Sequence, residues 1–222
     1  MNNNSTEIQK MWQIIGTNNE SVFELRAIWP PAISPSKPPL IEHFRAIEFS
    51  SVDACKKAIE SEALRLNDTG YNIYIVMNPI KPTLVGSAVT DEDILFREVL
   101  LIDIDRVSTS KQPATDIEIE EANQLAETVM SYLAELGWPE PIRVMSGNGH
   151  HLYYVIPEIE NNLESKQCVR TLLKNLAARF DNATVKIDTS VFNASRVTKV
   201  VGTIARKGNE SEGRPYRMAH VL

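Results

Sequence analysis

Cysteine is nearly missing from these 222 residues: Cys55 and Cys168 stand far apart, and neither belongs to a CxxC pair. That argues against a disulfide framework and against a cysteine-built zinc site, and leaves two buried, reduced thiols in a cytoplasmic protein as the expectation. Long apolar runs are also missing. None approaches the roughly 18 residues that a membrane span needs, so no membrane partner is expected. The polar start MNNNSTEIQK lacks the apolar stretch of a signal peptide. Histidine is scarce at four residues, two of them adjacent at His150 and His151. Nor is there an excess of positive charge. With 23 Lys and Arg against 29 Asp and Glu, the formal charge is −6, which on bulk electrostatics disfavours a nucleic-acid partner.

The distribution of charge changes that reading. From Lys186 onward the chain carries Arg196, Lys199, Arg206, Lys207, Arg214 and Arg217, against only Asp188, Glu210 and Glu212. The acids concentrate instead around Glu118, Glu120, Glu121, Glu127 and Glu135. A basic end on an acidic protein can still hold phosphates.

Periodicity predicts the elements. A short helix is expected over residues 7–15, a strand over 22–27, a helix over 51–66 with Ser51 as its cap, and a strand over 72–77. The proline-rich WPPAISPSKPP between them can be neither helix nor central strand. A loop over residues 81–90 is the candidate boundary between a module at 1–88 and a second at 89–222. Thr90 caps a helical turn over 91–97, and the continuous apolar run 99–104 reads as a strand buried on both faces. Residues 116–136 keep a 3.6-residue period through Ile119, Ala122, Leu125, Ala126, Val129, Leu133 and Leu136, and Gly137 ends that helix. A hairpin follows, then a helix capped by Ser165 with Val169, Leu172, Leu173, Leu176 and Phe180 inward, then short strands over 185–188 and 197–201. This order predicts an α+β fold with a mixed sheet.

Three stretches carry chemistry. In VLLIDID, Asp103 and Asp105 sit two apart at the end of the buried strand, so both carboxylates project from one face. Like charges there repel, and a divalent cation is what joins them. In VMSGNGHHLYYVIP, Asn148-Gly149 signals a hairpin bend. A four-residue loop over 147–150 would set Ser146 directly opposite His151, with Cβ atoms roughly 5 Å apart, and leave His150 solvated in the turn. A hydroxyl, an imidazole and exposed turn amides suit phosphate. In KIDTSVFNASRVTKVVGTIARKG, Asp188 ends a short strand and Arg196, Lys199 and Lys207 follow. A third carboxylate near the first two would complete a two-metal site for in-line displacement at phosphorus.

Together these stretches resemble the archaeo-eukaryotic primase superfamily, in particular its phage- and plasmid-type primase-polymerases. LLIDID, SGNGHHLYY and KID match its three motifs in order, and the likeness runs over most of residues 90–220. The resemblance implies an N-terminal αβ module packed on a catalytic module like the RNA-recognition motif, with the active site in the cleft between them. It implies template-directed nucleotidyl transfer from NTP or dNTP, making or extending primers on single-stranded DNA. By position, Asp103, Asp105 and Asp188 would bind two Mg2+ or Mn2+ ions. Ser146 and His151 would hold the phosphates of the incoming nucleotide, and Arg196 and Lys207 would neutralise triphosphate or template. Tyr216 stands in RPYR where histidine is common in the family. The zinc-binding and helicase parts that accompany such domains are absent from this sequence, so a helicase or further domains are expected as partners.

Other readings compete. DIDRV fits the nucleophile motif of haloacid-dehalogenase-type phosphatases and IRVMS their strand-ending serine, but that serine should lead to a loop and a helix, not straight into HHLYYVIP. A rolling-circle nuclease needs two histidines on one strand face, and adjacent His150 and His151 point apart. An RNA-binding module without activity should present aromatics where this chain presents Asp103 and Asp105.

Overall fold

The computed structural model describes residues 3–108 and 110–222. A short helix α1 (Asn3–Gln9) runs into a 3-10 turn (Lys10–Gln13), then come β1 (Val22–Ile28) and β2 (Leu40–Arg45). The helix begins earlier than its apolar pattern suggested. Strand β2 was not anticipated from the sequence, because its six residues follow directly on the proline-rich stretch. Ser51 caps α2 (Val52–Asp68) by accepting the Ala54 N–H at 3.1 Å, and Cys55, Ile59, Ala63 and Leu66 give it one buried face towards β1 and β3 (Asn72–Val76).

Beyond Thr90 the expected helical turn stops at Asp93, because β4 (Phe96–Arg106) already begins at Phe96. Next come α3 (Asp116–Glu135), β5 (Ile142–Met145), β6 (Gly149–Glu160), α4 (Leu163–Phe180) and β7 (Val185–Ile187). The cap of α4 is Asn162, not Ser165. The asparagine side chain accepts the Ser165 N–H at 2.9 Å, and Ser165 answers on the Asn162 N–H, a reciprocal box three residues wide. Leu136 lies just past α3 and is exposed, and Cys168 on α4 is exposed while Cys55 is buried. Four short strands finish the chain: β8 (Val197–Lys199), β9 (Ile204–Ala205), β10 (Arg217–Met218) and β11 (His220–Val221).

Two main sheets result, one ordered β2-β1-β3-β8 and the other β11-β5-β6-β4-β7. The second was expected to be mixed, yet every pairing in it is antiparallel among the described residues. The physical reason lies in the crossover. Helix α3 carries the chain from β4 to β5, but the returning hairpin strand β6 inserts between them, so strands running the same way are never neighbours. Helices α3 and α4 cover one face of this sheet. Strand β8 comes from late in the chain and completes the first sheet beside β3, so the boundary near residue 88 does not separate the two sheets. One hydrophobic core runs through both, from Ile8 and Ile59 to Leu152, Leu173 and Val201. Strand β4 lies between its layers, which is why Val99 through Ile102 and Ile104 are all buried. Among the described residues no helix is long and apolar enough to cross a membrane.

Candidate active site

Alternation along β4 turns Leu101, Asp103 and Asp105 to one face, and their partners across the antiparallel ladder on β6 are Tyr153, His151 and Gly149. These three rungs form one wall of a pocket of about 360 Å³, the opposite side of which comes from Tyr74 on β3 and Thr198 and Lys199 on β8. The pocket therefore opens between the two sheets. Ser146, Asn148, Arg196, Arg206 and Lys207 also line it.

The hairpin is tighter than the sequence suggested. Ser146 N–H donates to the Gly149 carbonyl at 2.9 Å, leaving a two-residue bend at Gly147 and Asn148, with Gly147 at φ +101°. The register is thereby shifted from the one expected. His151 stands opposite Val144, and His150 opposite Met145. Ser146 and His151 are not an opposed pair, although both face the pocket, because residues 144 and 146 share a face. His150 is not solvated. It is buried on the helix side of the sheet with no hydrogen bond to Nε2, and burial, helped by Arg143, pushes its pKa down to about 4. The two histidines do point apart, as adjacent strand residues must.

Gly149 is required by this geometry. A Cβ there would strike the Ile104 carbonyl oxygen and the Asp105 carboxylate on the neighbouring strand. Gly149→Ala is therefore expected to push β6 off β4 at the Asp105 rung and cost about 2–3 kcal/mol, read as a fall in thermal midpoint. An unchanged midpoint would mean that the hairpin does not lie this close.

Electrostatically the two aspartates are unlike. Burial would raise the Asp103 carboxyl, but His151, Arg196 and Lys207 outweigh it and hold it below the usual carboxylate value. Burial together with the adjacent Asp103 pushes the Asp105 carboxyl up to about 6. His151 Nε2 lies 3.4 Å from Asp103 Oδ1, an ion-pair distance, and that buried oxygen has no hydrogen-bond partner among the described residues. Desolvation, helped by the same two carboxylates, pushes the half-buried Tyr74 up to about 12.

Asp188 follows β7, and its N–H donates to the Asp103 carbonyl at 2.8 Å, so the backbone sets it beside the pair. Its carboxylate is turned elsewhere: Oδ1 accepts the Ser190 N–H at 2.8 Å, and Oδ2 lies 3.7 Å from Arg196 Nη2. Among the described residues, no three His, Cys, Asp or Glu side chains are gathered as a ready metal cage.

The sequence reading passes over Tyr74, Tyr153 and Thr198, and names Lys199 and Arg206 only within the basic run after Lys186 that could hold phosphates. Lys199 is 4% exposed, and burial beside Arg206 lowers its pKa well below the usual lysine value. Among the described residues its Nζ donates only to the Ile204 carbonyl, at 3.2 Å, and one buried nitrogen of Arg206 has no partner. Two asparagines hold this basic wall in place. Asn67 both donates to and accepts from the Ile204 backbone, at 2.9 and 2.8 Å, and Asn72 does the same for Arg206 at 2.7 Å each. These contacts join residues more than 130 positions apart. The one signal within the sequence was the uncompensated run of basic residues after Lys186.

No family model matches the chain, and no curated protein matches it by sequence. Solved structures do match. The chain is similar to the AEP domain of the cyanophage S-2L primase-polymerase, with a TM-score of 0.53 and 15% identity over 98% of this chain and 88% of that one. It is similar to the primase RepB′, with a TM-score of 0.53 and 11% identity over 99% of this chain and 56% of that one. It is also similar to the polymerase domain of Mycobacterium tuberculosis ligase D in complex with DNA, with a TM-score of 0.54 and 14% identity over 91% of this chain and 76% of that one. The chain thus shares its fold with these primase and polymerase domains. The phosphatase alternative loses its footing on the hairpin, since Ser146 leads through a two-residue bend straight into β6.

Proposed function

We propose that this domain is a primase-polymerase, adding nucleotides to a primer on single-stranded DNA. The observation that carries the reading is the pocket itself: two carboxylates and His151 on one sheet face a wall of Arg196, Lys199, Arg206 and Lys207 across a gap of nucleotide size. A phosphatase or a bare RNA-binding sheet accounts for one side of that arrangement and not for the other.

Asp103 and Asp105 suit a divalent cation. One is held ionised, the other is forced towards protonation by its neighbour, and a buried Asp103 oxygen lacks any partner. Asp188 is the third proposed ligand and would have to exchange Arg196 for the ion. When bound, Mg2+ or Mn2+ supplies charge neutralisation at the α-phosphate and a lowered pKa for the attacking hydroxyl. This chain's own residues do the rest. Ser146 and His151 hold triphosphate oxygens, Arg196 and Lys207 offset their charge, and buried Lys199 and half-buried Arg206 gain an anionic partner that no described residue gives them. The primer 3′-oxygen attacks the α-phosphorus, the new phosphodiester forms, and pyrophosphate leaves with the electron pair of the broken bond. The division into modules at 1–88 and 89–222, and a helicase or further domains as partners, belong to the same proposal.

The test uses the full chain with single-stranded DNA, labelled nucleotide and manganese, with and without an annealed primer. Extension of the primer is expected. Labelled oligomers without a primer would add de novo initiation to the activity. Phosphate released from simple esters with no chain growth would hand the site to the phosphatase reading.

A further inference from the structure

His151 does not face the pocket unaided. Its Nδ1 lies 2.8 Å from the Tyr153 hydroxyl, which in turn makes a short hydrogen bond to the Thr198 hydroxyl. All three side chains are buried, at 7%, 1% and 3% exposure. The rings of His151 and Tyr153, two apart on β6, also meet edge to face with centroids 5.7 Å apart. The chain of contacts thus runs from the strand that bears the histidine to β8 of the other sheet.

Proton counting gives this chain a direction. Thr198 has one hydroxyl proton, and among the described residues its only side-chain hydrogen bond is to the Tyr153 oxygen. If Thr198 donates to that oxygen, Tyr153 must spend its single proton on His151 Nδ1. Nδ1 is then an acceptor, so the neutral ring carries its proton on Nε2. The reverse direction would leave a buried threonine proton with no acceptor, the costlier arrangement. Nε2 is the atom that faces Asp103 Oδ1 at 3.4 Å, and His151 lines the pocket beside that carboxylate.

We infer that Tyr153 and Thr198 are positioning residues that lock His151 as the Nε2–H tautomer, so that a neutral imidazole already presents a donor to the incoming phosphate. The proposal rests on reading this pocket as the nucleotide site. It also explains why the ring is anchored from the opposite sheet. The donor's aim then depends on the two sheets being closed on each other, and nucleotide affinity becomes sensitive to their packing.

The test is nitrogen-15 NMR of the histidine rings in the full chain at about pH 8.5, roughly two units above an ordinary histidine pKa, beside steady-state primer extension. Only four histidines need assignment. Wild-type His151 is expected to show a protonated Nε2 and a bare Nδ1. In Tyr153→Phe the ring should shift to a mixture of tautomers, with KM for the nucleotide raised about ten-fold, the worth of one good hydrogen bond, and kcat within about two-fold. Thr198→Val should move the ring the same way, and Thr198→Ser should keep the wild-type pattern, which a purely structural role would not predict. A wild-type ring already protonated on Nδ1, or one unchanged in both Tyr153→Phe and Thr198→Val, overturns the inference. Ring signals that respond as expected in a chain unable to extend any primer would support the tautomer lock and sink the polymerase reading instead.

Discussion

Asp103→Ala and Asp105→Asn are each expected to lower primer extension about 1,000-fold or more, equal to about 4 kcal/mol of transition-state stabilisation at roughly 1.4 kcal/mol per decade. Neither substitution should unfold the protein. Asp105 is the carboxylate that burial and Asp103 disfavour most, with its pKa pushed up to about 6, so a neutral amide there relieves a repulsion that the free protein bears. In chelator, the thermal midpoint of Asp105→Asn should equal or exceed that of wild type. Loss of activity at a constant or higher midpoint separates a functional carboxylate from a structural one. Near-normal extension by either variant, with magnesium or manganese supplied, would remove the carboxylate pair from the chemistry.

Glu118→Ala is expected to cost about 3 kcal/mol, or about 10 °C in thermal midpoint for a chain of this length. Glu118 closes the cap of α3 by accepting the Thr115 N–H at 2.7 Å. It also accepts from Arg106 Nη1 at 2.9 Å and from Arg214 Nη1 at 2.8 Å. Arg106 ends the strand that carries Asp105 and is 5% exposed, so deleting Glu118 leaves a buried guanidinium without its carboxylate. The figure stays at the low end because the Glu118 side chain is 23% exposed and partly screened. Burial works against the ionised form, yet Arg214, the Thr115 N–H and Arg106 prevail and lower its pKa from 4.5 to about 2. A depressed carboxylate pKa stabilises the fold above the unfolded value and ceases to do so as the pH falls through the folded one. The stability gap between wild type and Glu118→Gln should therefore be full above about pH 4.5 and close between there and about pH 2. A gap that stays constant across that window would mean that the Arg–Glu–Arg contact does not form in solution.

Much of this molecule is written locally. The apolar periods of α2 and α3, the Ser51 cap, the apolar run of β4 and a bend close to Asn148 all follow from neighbours within a few residues. So does the shared face of Asp103 and Asp105, because alternation along a strand needs no partner. Register is different. A bend of two residues rather than four moved His151 from Ser146 to Val144 and set it on the rung of Asp103, and no local preference separates those loops by more than a fraction of the packing energy that chooses between them. The buried side of His150 follows from the same choice, since the shorter bend makes it a strand residue opposite Met145, facing away from His151. Asp188 could be placed beside Asp103 from its motif, but its pairing with Arg196 depends on how the loop after β7 closes. The basic wall is the most distant case. Lys199 and Arg206 enter the pocket because β8 joins a sheet begun more than 120 residues earlier and because Asn67 and Asn72 grip the backbone at Ile204 and Arg206. The sequence by itself determined which residues are strand, helix and charge, for these are short-range properties of the chain. Only the tertiary structure decided which charges share a cavity, for that is set by the closing of two sheets on one core.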